Sequence, residues 1–190
     1  MKKLALTDFA KYRYPSALEL SPDGRYLTFA LKEVDREGDG YRWNLWLYDL
    51  ESRESRQITR GDDQRQAVWE DNTHILYKTT ELDEVMQARG FEEEWTVYHR
   101  LNVCTGEECE AFRLPMSVSG LWKMDEGRYV FTGETHLDRP NLLELTGEAL
   151  EKELVRRQQT KGYKVLTELP LCENGVGMFN QTRITLFLYL

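Results

Sequence analysis

Apolar and polar positions alternate through Ala17-Leu18-Glu19-Leu20 and again through Tyr26-Leu27-Thr28-Phe29-Ala30, the two-residue period of a half-buried strand. Between them, Ser21-Pro22-Asp23-Gly24-Arg25 interrupts the alternation. Pro22 presets φ near about −65° for the second position of a type I turn, Asp23 bonds its own backbone, and Gly24 accepts the positive φ needed to turn back. The stretch predicts a β-hairpin. Asn44-Leu45-Trp46-Leu47-Tyr48-Asp49-Leu50 is rich in β-formers and predicts a third strand, with Glu54 to Thr59 as a fourth. The charged, glycine-containing segment Lys32 to Arg42 is expected to be a loop. Four such strands in meander order make one blade of a propeller.

The pattern recurs. Gln66 to Tyr77 has the same strand-turn-strand shape with Glu70-Asp71-Asn72 at the turn, followed by Tyr98 to Val103 and Glu110 to Leu114 as further strands. A third copy runs from Val118 to Thr132, where Gly127-Arg128-Tyr129 repeats Gly24-Arg25-Tyr26, and Asn141 to Leu145 repeats Asn44 to Tyr48. Tyr26, His74 and Tyr129 occupy matching positions 48 and 55 residues apart, against about 40 to 50 for a propeller blade. Residues 4 to 14 read as a short helix or lead-in that ends before Pro15 and plugs its apolar side onto the first sheet.

After Leu145 the period changes to that of a helix. Leu150, Leu154 and Val155 share one face, glutamates lie early and Arg156 and Arg157 late, as a helix dipole favours. Strand signals return at Tyr163 to Leu166 and at Ile184 to Leu190, with a turn at Cys172 to Gly175. The predicted fold is all-β: a partial β-propeller of about three four-stranded antiparallel blades with one helical insertion. The expected bounds are residues 15–60, 64–115 and 116–145 for the blades, 147–159 for the helix and 162–190 for the start of a next blade.

Charge narrows the partners. A net charge of −8 and a pI near 5.1 oppose nucleic-acid binding and adsorption to anionic membranes, which need a positive field. Asp8, Lys11 and Arg13 interrupt any apolar signal-peptide core, and no apolar run is long enough to cross a membrane; a cytoplasmic location is expected. Three cysteines, Cys104, Cys109 and Cys172, have the odd count of free thiols. Cys104 and Cys109 flank a turn and lack the second close pair that zinc requires. No metal or cofactor is expected.

The Leu20-Ser21-Pro22-Asp23-Gly24-Arg25-Tyr26 hairpin, Asn44 to Asp49, Phe91 with Thr96 to Leu101, Glu168-Leu169-Pro170, Asn174-Gly175 and Arg183 with Leu188-Tyr189 together resemble the N-terminal β-propeller of prolyl-oligopeptidase-type serine peptidases. Within it, the chain is most similar to the bacterial acylaminoacyl-peptidase and dipeptidyl-peptidase branch. Pro170-Leu171-Cys172-Glu173 departs from the aromatic residues of relatives. The resemblance implies a propeller of about seven blades that caps an α/β-hydrolase domain and admits peptides to it, this chain covering the first three or so. The hydrolase's G-x-S-x-G elbow is absent from this sequence; Met116-Ser117-Val118-Ser119-Gly120 lacks its first glycine.

The resemblance also implies a role for Glu92, Glu93 and Glu94, since related dipeptidyl peptidases hold a substrate's α-amino group between paired propeller glutamates and two carboxylates suit one ammonium. The ordinary alternative is a solvated charged loop. His74, His99 and His136 are too separated to suggest a triad or metal site, and Trp43, Trp46, Trp69, Trp95 and Trp122 read as blade-to-blade packing. The expected function is that of a peptidase propeller fragment without catalytic residues, which gates and orients peptides for the missing hydrolase domain. A free-standing TolB-like or WD40-like interaction module is the alternative, and open blade edges imply self-association.

Overall fold

The computed structural model describes residues 5–35, 38, 40–125, 127–136, 139–160, 171–173, 177–179 and 182–189. Strands β1 (Tyr14–Leu20), β2 (Tyr26–Asp35), β3 (Gly40–Asp49) and β4 (Glu54–Gln57) form one sheet in chain order. Strands β5 (Ala67–Trp69), β6 (His74–Leu82), β7 (Glu94–Asn102) and β8 (Glu108–Leu114) form a second, also in chain order. The fold is all-β, a partial propeller of open antiparallel sheets. Among the described residues two α-helices interrupt it, α1 (Glu84–Ala88) between β6 and β7, and α2 (Gly147–Thr160).

The opening hairpin follows its turn chemistry. The Gly24 N–H donates to the Ser21 carbonyl at 2.9 Å, Gly24 has φ +73°, and the buried Ser21 hydroxyl accepts from the Tyr26 N–H at 2.9 Å while donating to Asp23 at 2.6 Å. A Cβ on Gly24 would meet nothing within 4 Å, so only backbone strain opposes a side chain there. Gly24→Ala is therefore expected to lower stability by about 1 kcal/mol, read as a fall in the urea midpoint.

The expected loop from Lys32 to Arg42 is mostly strand. β2 and β3 stay paired from Tyr26↔Asp49 out to Asp35↔Gly40. The charges that suggested a loop are instead satisfied across strands: Arg13 pairs with Glu33 at 2.6 Å, Arg42 lies 4.0 Å from Asp35, and the Lys32 ammonium sits 3.7 Å from the Tyr41 ring centroid. The lead-in is a 3₁₀ helix over Leu6–Lys11 that lies against β2, with its Phe9 and the following Tyr12 exposed.

The third sheet departs most from the expected chain order. β9 (Val118–Lys123) and β10 (Tyr129–His136) occupy the predicted third copy, but Asn141 to Leu145 is not its third strand. Asn141 accepts the Leu143 N–H at 3.0 Å and caps a 3₁₀ turn at Leu142–Glu144. Strands β11 (Leu171–Glu173) and β12 (Gly177–Phe179) pair with each other, and β13 (Thr182–Tyr189) returns to pair with β10, giving the order β13-β10-β9. Thus the 182–189 segment joins the third sheet where the start of a new blade was expected. Tyr163 to Leu166 lies outside the described residues.

The chain clusters into two compact units, residues 1–79, 97–113 and 123–127, and residues 80–96, 114–122 and 128–190. In the first, Ala30, Leu45 and Leu47 pack with Ala67, Trp69, Ile75, Tyr77, Leu101 and Val103. Trp69 also stacks on Tyr26 and donates its indole N–H to the Glu19 carbonyl at 3.2 Å. In the second, Met86, Leu142 and Leu154 are buried, with Phe91 and Leu150 against them. Helix α2 turns Leu150 and Leu154 inward, one turn apart as helical periodicity requires, and leaves Val155 exposed.

Candidate functional site

The second unit contains a cleft of about 410 Å³ lined by Glu92, Glu93, Glu94, Pro115, Met116, Ser117, Glu134, Thr135, His136, Arg139, Pro140, Asn141, Glu144 and Phe187. The glutamate run is thus brought to one wall of a cavity. Asp83 fixes it at Glu93 and at the following Trp95. Its N–H donates to the Glu93 carbonyl at 2.8 Å, and its carboxylate accepts the Trp95 indole N–H at 2.9 Å and caps α1 through the Met86 N–H at 2.9 Å. These hydrogen bonds, the indole's first, hold the Asp83 carboxyl below its ordinary pKa.

Other lining residues are tied together through backbone carbonyls. The Glu134 N–H donates to the Ser117 carbonyl at 3.0 Å, and the Asn141 side-chain amide donates to the Pro115 carbonyl. Thr96, buried beside the glutamates, donates to the Met116 carbonyl at 2.7 Å and accepts the Val118 N–H at 3.2 Å. Phe187 stacks on Phe131 with centroids 5.0 Å apart and supplies an apolar surface with Met116.

The three glutamates divide by environment. Glu93 is held by Arg157 of α2 at 2.6 Å, and the same guanidinium donates to Glu153 at 3.0 Å and to the Pro140 carbonyl at 2.5 Å. The side chains of Arg157 and Glu153 are only 10 % and 9 % exposed, so this is a nearly dry network. Hydrogen bonds from Arg156, then from Arg157, lower the Glu153 carboxyl's pKa against the opposing effect of burial. Glu93 is therefore committed to the scaffold, while Glu92, Glu94, Glu134 and Glu144 have no ion-pair partner among the described residues.

Arg139 lies in the same cleft and donates to His136 Nε2 at 3.0 Å. A guanidinium can only donate, so the neutral imidazole carries its proton on Nδ1. Five carboxylates against one arginine at the cleft's lining give a negative field suited to an ammonium or guanidinium. Among the described residues no three His, Cys, Asp or Glu side chains converge as a metal cage.

The sequence singled out Glu92, Glu93 and Glu94 but not Glu134, His136, Arg139 or Arg157. Arg157 reads from sequence as a dipole-matching residue at a helix end, and its reach to Glu93, 64 positions away, has no local signal. The other histidines lie elsewhere. His74 bonds Asp71 and Asn102, and His99 lies between Thr79 and Glu108 on the Tyr77 ring. Of the tryptophans, Trp69 is core, whereas Trp122 is exposed. Cys104 and Cys109 are both free and exposed. Among the described residues no helix is long and apolar enough to cross a membrane.

Meander sheets opened by a Ser-Pro-Asp-Gly hairpin make the chain a partial β-propeller. Solved structures that it resembles include peptidases. Over 95 % of its length it matches 24 % of Pyrococcus horikoshii acylaminoacyl peptidase, with a TM-score of 0.61 at 13 % identity. An acylaminoacyl peptidase in complex with Z-Gly-Gly-Phe-chloromethyl ketone gives 0.60 at 11 % identity over 96 % of this chain and 24 % of that one. The AtxE2 isopeptidase gives 0.52 at 13 % over 93 % and 28 %. The likeness is one of fold, and this chain spans about a quarter of the peptidases' length. No protein-family profile and no curated protein matches the sequence.

Proposed function

We propose that the chain is the N-terminal propeller portion of a cytoplasmic bacterial serine peptidase of the acylaminoacyl-peptidase type, which admits and orients peptides for a separate α/β-hydrolase domain. The observation that carries this reading is the match of 95 % of the chain to 24 % of an acylaminoacyl peptidase. Acyl transfer belongs in this reading to Ser-His-Asp residues of the hydrolase domain. The chain's own contribution is the acidic cleft, where Glu92 and Glu94 face a peptide's α-ammonium and Glu93 holds Arg157 in place.

Two measurements test the proposal. The chain is expected to turn over neither acetyl-aminoacyl nor free aminoacyl p-nitroanilides, and measurable hydrolysis would overturn it. A fluorescent peptide with a free amino terminus is expected to bind with an affinity that falls about tenfold in E92Q/E94Q, the scale of one charge-assisted hydrogen bond. Equal binding by both proteins would remove the glutamates from the substrate path.

A further inference from the structure

The turn between β7 and β8 touches the first sheet at two points of different kinds. Val103 is the fixed one: it is buried in the core, its N–H donates to the Thr73 carbonyl at 2.8 Å, and its carbonyl accepts from the Arg56 guanidinium. Cys104 is held more loosely. Its sulfur lies 3.9 Å from the Tyr26 hydroxyl, and its N–H and that of Thr105 donate to the Asn102 side-chain oxygen at 2.9 and 3.0 Å. Gly106, at φ +79°, closes the turn by donating its N–H to the Asn102 carbonyl at 2.8 Å.

The two backbone donors fix the Asn102 amide. With its oxygen committed to them, its nitrogen faces His74 Nε2 at 3.1 Å, and an amide nitrogen only donates. His74 therefore keeps Nε2 bare and carries its proton on Nδ1, which donates to Asp71 at 2.9 Å. Asp71 suits that part. Partial burial pushes its carboxyl up, but hydrogen bonds from Thr73 and His74 outweigh this and bring it down to about 2, so it remains an anion that only accepts. Among the described residues Asp71 is the charged group His74 meets, and the Thr73 hydroxyl at 3.1 Å and the Asn102 amide complete its hydrogen-bonding surroundings.

A proton on Nε2 sets two donors face to face. The ring stays, because the imidazolium gains an ion pair with Asp71 on its own turn, and the uncharged amide yields. Asn102 can turn its nitrogen away only by giving up the bonds its oxygen accepts from Cys104 and Thr105. His99 on β7 makes the contrast: its nitrogens face the Thr79 hydroxyl at 3.0 Å and the Glu108 carboxylate at 3.3 Å, both able to accept, so a second proton there displaces nothing.

We infer that His74 and Asn102 form a proton-operated latch, closed when the imidazole is neutral. Protonation opens it, freeing Cys104 and Thr105 from Asn102 and Cys104 from Tyr26, while Val103 keeps the hairpin seated. These residues all belong to the first unit, and the latch stands independently of the peptide-binding role.

Nuclear magnetic resonance on the full chain tests it between about pH 8 and about pH 5, the span in which an imidazole charges. At the upper end His74 is expected as the Nδ1–H tautomer, read from its ring nitrogen shifts, with a cross-relaxation contact between the Tyr26 ring and the Cys104 β-protons. At the lower end that contact is expected to be lost, and the Cys104 and Thr105 amide signals should move with the same midpoint as the His74 ring. In H74Q the two amide signals should stay in place throughout. N102D should reverse the response, since a carboxylate accepts from both backbone N–H groups and from the imidazolium, so the Tyr26 contact survives acid. An Nε2–H tautomer at the upper end, a wild-type contact that persists at the lower end, or amide signals that still titrate in a folded H74Q would each overturn the latch. Should H74Q not fold, the tautomer and N102D decide, and loss of the Tyr26 contact in acid by N102D counts against it.

Discussion

Leu45→Ala is expected to destabilise the first unit by about 2–5 kcal/mol, the range for truncating a fully buried leucine. Leu45 is 0 % exposed and sits in the cluster formed with Ala30, Ala67 and Ile75. Its backbone is pinned as well. Its N–H donates to the buried Thr59 hydroxyl at 2.8 Å and its carbonyl accepts the Ile58 N–H at 2.8 Å. Strand β3 is thus held on both sides of the residue and has little freedom to collapse into the vacated volume, which places the cost toward the upper end. Small domains are stable by only about 5–15 kcal/mol, so the loss is a large fraction of the whole. Urea unfolding followed by tryptophan fluorescence reads the effect, because Trp69 belongs to the same cluster. A loss under about 1 kcal/mol would mean that the cluster is not the closely packed core described. L45M should lose under about 1.5 kcal/mol, since it conserves volume.

The second large effect concerns Arg157. R157M is expected to cost about 3–5 kcal/mol, because it strands Glu93 and leaves the buried Glu153 with Arg156 as its remaining partner. The pH dependence has a definite sign. A carboxyl whose folded pKa is depressed contributes stability that is present above its unfolded pKa, about 4.3, and that is lost as pH falls through the folded value. Glu153 is such a group, lowered by Arg156 and Arg157. In R157M one of those donors is gone and the acid limb of the stability curve should move to higher pH. Adding E153Q should recover part of the loss, because the neutral amide no longer needs a cation. Chemical denaturation from pH 3 to 7 would show this; an unshifted acid limb, or strict additivity of R157M and E153Q, would refute the coupling.

The same network bears on how the cleft works. Under the proposed function, a peptide's ammonium entering beside Glu92 and Glu94 would meet carboxylates with no cation of their own among the described residues, while Glu93 stays neutralised by an arginine brought in by α2. The helix that interrupts the sheets therefore holds the acidic wall in place, and loss of Arg157 should weaken free-amine peptide binding along with stability.

What the sequence determines by itself is local. The turn at Ser21 to Tyr26 spans six residues, and its Pro, Asp and Gly each act within that reach. For the same reason the alternating segments read correctly as strands and the 3.6-residue period after Leu145 as a helix. Cross-strand charge pairing is less local, so Lys32 to Arg42 looks like a loop until Glu33 faces Arg42 and Lys32 faces Trp43. Asn141 shows the limit in the other direction. Its neighbourhood imitates strand β3, but its side chain caps a turn and bonds Pro115, 26 positions earlier. Only the tertiary structure decides that Thr182–Tyr189 joins β10, since backbone pairing carries no address in sequence and many apolar strands could take that edge. It alone also places Arg157 on Glu93, and so turns a run of three glutamates into one scaffold residue and two facing a cleft, because contacts between distant positions follow from packing that no local pattern encodes.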